Sequence, residues 1–167
     1  FFSPPTPPTP MLRSLVGSEM CIRDRYKMGK SQDIDDFKKA MNIHAIPMFN
    51  TGYADKDGKL YYVYNAKIPK RNSKYVWNEI LPGENKETLW YDYIPFDRLP
   101  YVYDPLEGFF QNCNSSPYLA TGSNVYVSKP IPSWTGIETH QTNRALRSLE
   151  TFGVDSSITR EEFFDYK

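Results

Sequence analysis

Asn112 and Asn114 lie in the run Gly108-Phe109-Phe110-Gln111-Asn112-Cys113-Asn114-Ser115-Ser116-Pro117, and their type and spacing point to charge stabilisation. A carboxamide donates hydrogen bonds without carrying a proton that can leave, so it suits a site where negative charge develops. Spaced i, i+2 in an extended segment, the two would face the same way, one aimed into a cleft and the other bracing the backbone. The competing reading of Asn114 is a turn asparagine bonded to its own backbone. Cys113, between them, is expected to be a small buried side chain rather than a nucleophile.

Other reactive side chains form no recognisable constellation. His44 stands at a helix end, where it is more often structural, and His140 has no second ligand or acidic orienter at a known spacing. Asp55 and Asp57 fall in Asp55-Lys56-Asp57-Gly58, which lacks the later ligands and terminal Glu of a calcium loop, so a plain turn is expected and no metal is assigned. Neither a Ser-His-Asp nor a Cys-His pair can be argued, and Cys21 and Cys113 imply no disulfide framework.

The elements that must hold this loop are readable in outline. Ser31 or Asp33 can cap a helix of roughly three turns whose apolar face is Ile34, Phe37, Ala40 and Met41, ending before Pro47. Apolar runs from Met48 to Ala54 and from Leu60 to Ile68 flank the turn at Gly58 and predict a β-hairpin. Pro69 to Asp104 is rich in prolines and rings, including Trp77, Trp90, Tyr91 and Tyr93, and is expected to wrap a scaffold by burying those rings. An aromatic groove for a sugar or an acyl chain is the functional alternative for that segment. One short strand is expected at Asn124 to Ser128, a helix from about Thr139 with Ala145, Leu146, Leu149 and Phe152 inside, and a last helix opened by the capping box Thr159-Arg160-Glu161-Glu162.

Composition bounds the possibilities. At 167 residues, 40% hydrophobic and 16% aromatic, the chain can bury a core and is not expected to be disordered. Twenty basic against twenty acidic residues give zero formal net charge, so no long-range field favours nucleic acid or a membrane surface. No apolar run approaches the roughly 18 residues of a membrane helix, and no signal-peptide order is visible. Residues 1–25 begin with a proline- and threonine-rich stretch, Phe1 to Pro10, and continue MLRSLVGSEMCIRDR, a stretch resembling translated sequencing-adapter tails. They are expected to be a non-native, disordered tail, with the domain proper at 26–167 and truncated at both ends.

In that domain a set of motifs carries a resemblance. Asn-Ile-His-Ala-Ile-Pro-Met-Phe-Asn at 42–50, Tyr53-Ala54-Asp55-Lys56-Asp57-Gly58, Leu81-Pro82-Gly83 and the 108–117 run resemble, in that order, the β-chain of the penicillin acylase family of N-terminal nucleophile hydrolases. The resemblance implies an α+β chain that is a fragment of an αββα four-layer fold. It implies hydrolysis of the amide bond of a small N-acyl compound, such as a penicillin or an acyl-homoserine lactone, through an N-terminal serine that this sequence does not contain. The fragment would be inactive alone, its partners being the missing α-chain and the remainder of the β-chain.

Carried over residue by residue, the family's oxyanion donor falls on Asn114 and an arginine that orders the nucleophile region falls on Arg144. Arg144 has an equally ordinary reading in a surface charge row with Arg147 and Glu150. No cofactor is implied for the fragment, an Asp that some members carry has no counterpart near Asn124 and Val125, and the resemblance leaves room for calcium only in the full-length parent. Family members are exported, which implies a periplasmic or secreted location. An aromatic-rich glycan- or peptide-binding module without catalysis is the alternative function, and a structural domain without a site a third.

Overall fold

The computed structural model describes residues 22–44, 49–121 and 133–166. Most of the expected tail at 1–25, and the strand expected at 124–128, therefore lie outside the described residues. Packing divides the chain into two units, Phe1–Pro47 and Met48–Lys167.

In the first unit, helix α1 covers residues 22–30 and runs across Tyr26, and helix α2 covers Ile34–Met41. Asp33 is the residue that caps α2, its Oδ1 accepting the Asp36 N–H at 2.8 Å. Asp35 and Asp36 in the first turn and Lys38 and Lys39 in the last complement the helix dipole. Phe37, Ala40 and Met41 are buried as their spacing predicts, although the helix is eight residues long rather than three full turns.

The second unit is built on one three-stranded antiparallel sheet in the order β1-β2-β3, with β1 at Phe49–Ala54, β2 at Leu60–Asn65 and β3 at Tyr101–Tyr103. The expected hairpin forms, and Asp55 holds its turn. Its Oδ1 accepts the N–H groups of Asp57 and Lys59 at 3.0 and 2.9 Å, and Oδ2 accepts the Tyr53 hydroxyl at 3.0 Å. Those bonds, led by the one from Lys59, hold the Asp55 carboxyl below the usual carboxylate range. Gly58 supplies the positive φ of 79°.

Strand β3 is absent from the sequence reading, where prolines mask it. Pro100 has no N–H, yet its carbonyl accepts from Tyr64 N at 2.9 Å, so the proline stands just ahead of a short edge strand and costs the ladder nothing. A second departure concerns the aromatic segment. Ile94, Leu99, Pro100 and Val102 are buried there, with Ile68 buried just ahead of it, whereas Trp90, Tyr91 and Tyr93 stay exposed. The backbone of the segment is closed by a ladder at its base, Lys70 N to Asp92 O and Ile94 N to Ile68 O, so ring burial is not what fixes it.

Helix α3 covers Asn143–Thr151 and helix α4 Arg160–Tyr166. The first begins later than Thr139, because Thr142 is its cap, with Oγ1 accepting Ala145 N at 3.2 Å. Ala145 is fully buried while Leu146 is 38% exposed, so the inner face is narrower than its apolar residues suggest. At α4 the capping box forms reciprocally, Thr159 N donating to Glu162 Oε2 at 2.8 Å and Glu162 N to Thr159 Oγ1 at 3.3 Å.

The core of this unit reads as one row across the sheet. Gly52 pairs with Tyr62, and Tyr62 with Val102. Tyr62, Val102 and Ala120 pack together with the Phe110 ring against them. The loop carrying the asparagines is thus nailed to the sheet through Phe110 and Ala120.

Candidate functional site

Between those two anchors the loop is fastened mainly by Gln111. Its backbone N–H donates to Ala120 O at 2.7 Å, its Nε2 donates to Leu119 O at 2.6 Å and Ser115 Oγ at 3.2 Å, and its Oε1 accepts Cys113 N at 2.9 Å. The side chain is buried, and every one of these bonds crosses the loop. Sequence reading passed over Gln111, since nothing in its neighbourhood signals that it folds inward.

Asn112 is exposed, and its Oδ1 accepts from Asn50 Nδ2 on β1 at 3.0 Å. It ties the loop to the sheet through its side chain, and the backbone bracing expected of it belongs to Gln111. Asn114 has φ 55°, in the left-handed region that asparagine tolerates better than most side chains. The segment is not extended there, so the alternation that would point both amides one way does not apply. Cys113 is a half-buried free thiol whose backbone groups serve the loop.

Arg144 sits in the first turn of α3, next to the buried Ala145 that seats the helix. Its Nη2 donates to Cys113 O at 2.9 Å and to Asn114 Oδ1 at 3.0 Å. The surface charge row is made without it, because Arg147 is the residue that pairs with Glu150, at 3.9 Å. A guanidinium has only donors, so the atom of Asn114 it touches must be the carboxamide oxygen. The amide nitrogen is then the group left to donate elsewhere. The arginine also draws electron density from the carboxamide, which strengthens that N–H as a donor.

Asn114 lines a cleft of about 330 Å³ whose walls include Asn50, Tyr64, Ser116, Gly136 and Glu138. Burial, and then the Glu138 charge, raise the Tyr64 phenol above its ordinary pKa. Glu138 also comes within 3.6 Å of His140 Nδ1, both well exposed, so His140 does have an acidic neighbour two residues away that the spacing did not suggest. His44 closes α2 with φ 57° and donates its backbone N–H to Met41 O at 2.9 Å, a helix-end role. Among the described residues no group of three or more His, Cys, Asp or Glu is arranged to hold a metal ion.

The sequence profile of the family described as penicillin amidase matches residues 14–166, a range that opens ahead of Tyr26. Among solved structures, a thermostable penicillin G acylase from Alcaligenes faecalis in orthorhombic form is similar to this chain, with a TM-score of 0.68 and 18% identity. The similarity covers 90% of this chain and 25% of that one, so the chain spans about a quarter of that protein's length. At this identity the likeness is one of fold.

Proposed function

The chain belongs to the penicillin amidase family, and from that premise we propose that it supplies one wall of an acylase active site, with Asn114 as a donor to the oxyanion. The observation that carries the reading is the Arg144 guanidinium on Asn114 Oδ1, which leaves the amide N–H groups as the free end of the side chain, on a cleft. Family membership also favours an acylase-type hydrolase over a non-catalytic binding module.

In the proposed reaction a serine hydroxyl, contributed by sequence outside this chain, attacks the carbonyl carbon of an N-acyl amide while its α-amine takes the hydroxyl proton. The carbonyl π electrons move onto oxygen, and Asn114 Nδ2 donates to that oxyanion. Collapse breaks the C–N bond, the amine leaves with the transferred proton, and water then cleaves the acyl-serine ester to a carboxylic acid. Arg144 acts as a positioning residue, holding the carboxamide so that no reorganisation is needed as charge develops. The same reading assigns the sheet and helices to a four-layer αββα enzyme that is exported to the periplasm or secreted, with calcium, where bound, held elsewhere in the parent.

The test is turnover of an acyl-amide by the complete enzyme carrying substitutions at Asn114. Asn114→Ala should lower kcat by about 100- to 1,000-fold, the usual cost of one oxyanion donor. Because φ is positive here, Asn114→Gly is the needed companion: it lacks the amide but relaxes the backbone. Equal losses in both variants support the donor role, whereas near-normal turnover in the glycine variant would remove it.

A further inference from the structure

Beside the Asn114 cleft lies a larger cavity, of about 560 Å³, walled by Arg71, Ser73, Tyr75, Trp77, Trp134 and Ile137. Its dominant group is Arg71. The guanidinium carbon lies 5.7 Å from the ring centroid of Trp77 and 5.4 Å from that of Trp90. Its Nη1 donates to the carbonyls of Trp134 and Thr135 at 3.1 and 3.0 Å. Gly136, at φ 73°, allows that approach, since a Cβ there would lie 3.1 Å from Nη1.

Among the described residues the rest of the guanidinium has no hydrogen-bond partner. Nε is buried without a hydrogen-bond partner, and among the described residues neither an acceptor for Nη2 nor a carboxylate for the charge is present. Among the described residues no acidic residue lines the cavity. A cation partly desolvated between two indoles and lacking a counter-ion is costly unless an anion completes it. The cavity's size suits a small molecule, and its indole and phenol rings suit an apolar body.

We infer that this cavity binds an organic carboxylate bearing an apolar or aromatic group, with the carboxylate on Nη2 of Arg71 and the apolar part against Trp77 and Trp134. Gly136 and Ile137 wall both this cavity and the Asn114 cleft, so the two are neighbours across one strip of chain. Two sources of such a carboxylate fit, and naming them rests on the acylase reading: the acid released by hydrolysis, and an amino-acid carboxylate on the amine half. The binding itself needs no catalysis.

All three tryptophans of the chain stand at this site, Trp77 and Trp134 in its wall and Trp90 over Arg71, so intrinsic fluorescence reports on it. The 167-residue chain is titrated with 4-phenylbutyrate, with its neutral amide and with phenylalanine. The acid should bind about tenfold more tightly than the amide, the difference one charge-assisted hydrogen bond makes. Tighter binding of phenylalanine than of 4-phenylbutyrate points to the amine half, and the reverse to the released acid. Arg71→Gln should erase the preference for the acid. Because that change also removes the Nη1 bonds, Ser73→Glu is paired with it: it keeps Arg71 and offers it a carboxylate, and should weaken the acid about tenfold while sparing the amide. Equal affinity for acid and amide, no saturable change with either, or a Ser73→Glu chain that binds the acid unaltered would overturn the inference. Loss of the acylase reading in Asn114 kinetics would leave this titration untouched.

Discussion

At the residue scale the site depends on one buried glutamine and one exposed asparagine acting differently from how they read. Gln111 satisfies Cys113 N, Ser115 Oγ and Leu119 O at once, so removing it strands polar groups inside the loop. Gln111→Ala should destabilise the chain by about 2–3 kcal/mol, the scale of leaving buried partners unpaired, as measured by urea unfolding. Stability within a few tenths of wild type would mean water replaces the side chain. Asn114 behaves in the opposite sense. It is exposed, so Asn114→Gly should leave unfolding nearly unchanged while, on the proposed donor role, lowering turnover by the complete enzyme, separating function from stability at a single position.

At the scale of elements, the loop is positioned by a contact between a ring and a missing side chain. Phe110 lies over Gly52 of β1 and 5.7 Å, centroid to centroid, from Tyr62 of β2. A Cβ at residue 52 would fall 2.7 Å from Phe110 Cζ and 2.8 Å from Cε2, so the ring would have to leave the cross-strand row. Gly52→Ala should cost about 1–3 kcal/mol through overpacking. Combining it with Phe110→Leu should cost less than the two single changes summed, a coupling that a double-mutant cycle reads directly. Additive costs would mean that ring and glycine are energetically independent. The contact also explains why the hairpin matters to the site: β1 offers the floor for Phe110 and, through Asn50, the tether for Asn112.

At the scale of the whole molecule, the sheet buries phenols. Tyr61 and Tyr62 are 3% and 2% exposed, and burial pushes both hydroxyls well above the ordinary tyrosine pKa of about 10. The unfolded chain therefore loses these protons first as pH rises. Stability from this source is intact below about pH 10 and declines as pH climbs from there toward the folded-state values. Melting temperature should accordingly fall above about pH 10, and Tyr62→Phe should flatten that fall. An unchanged slope in the variant would assign the alkaline loss to other groups.

Local features were legible in the sequence because their partners are near in the chain. The Asp33 cap, the Asp55 turn, the capping box at Thr159 and the apolar face of α2 each follow from residues within a few positions of one another, and the ordered motifs carried the family. What the tertiary structure decided lies across long separations. Asn50 meets Asn112 across 62 residues and Arg144 meets Asn114 across 30. The pairing of β3 with β2, and the collapse of Gln111 into its own loop, likewise depend on packing that no local pattern encodes. Sequence alone thus named Asn114 and gave Arg144 two even readings, whereas the fold put a guanidinium on the carboxamide oxygen. Hydrogen-bond geometry is fixed by where the backbone brings donors, and that is a property of the folded chain.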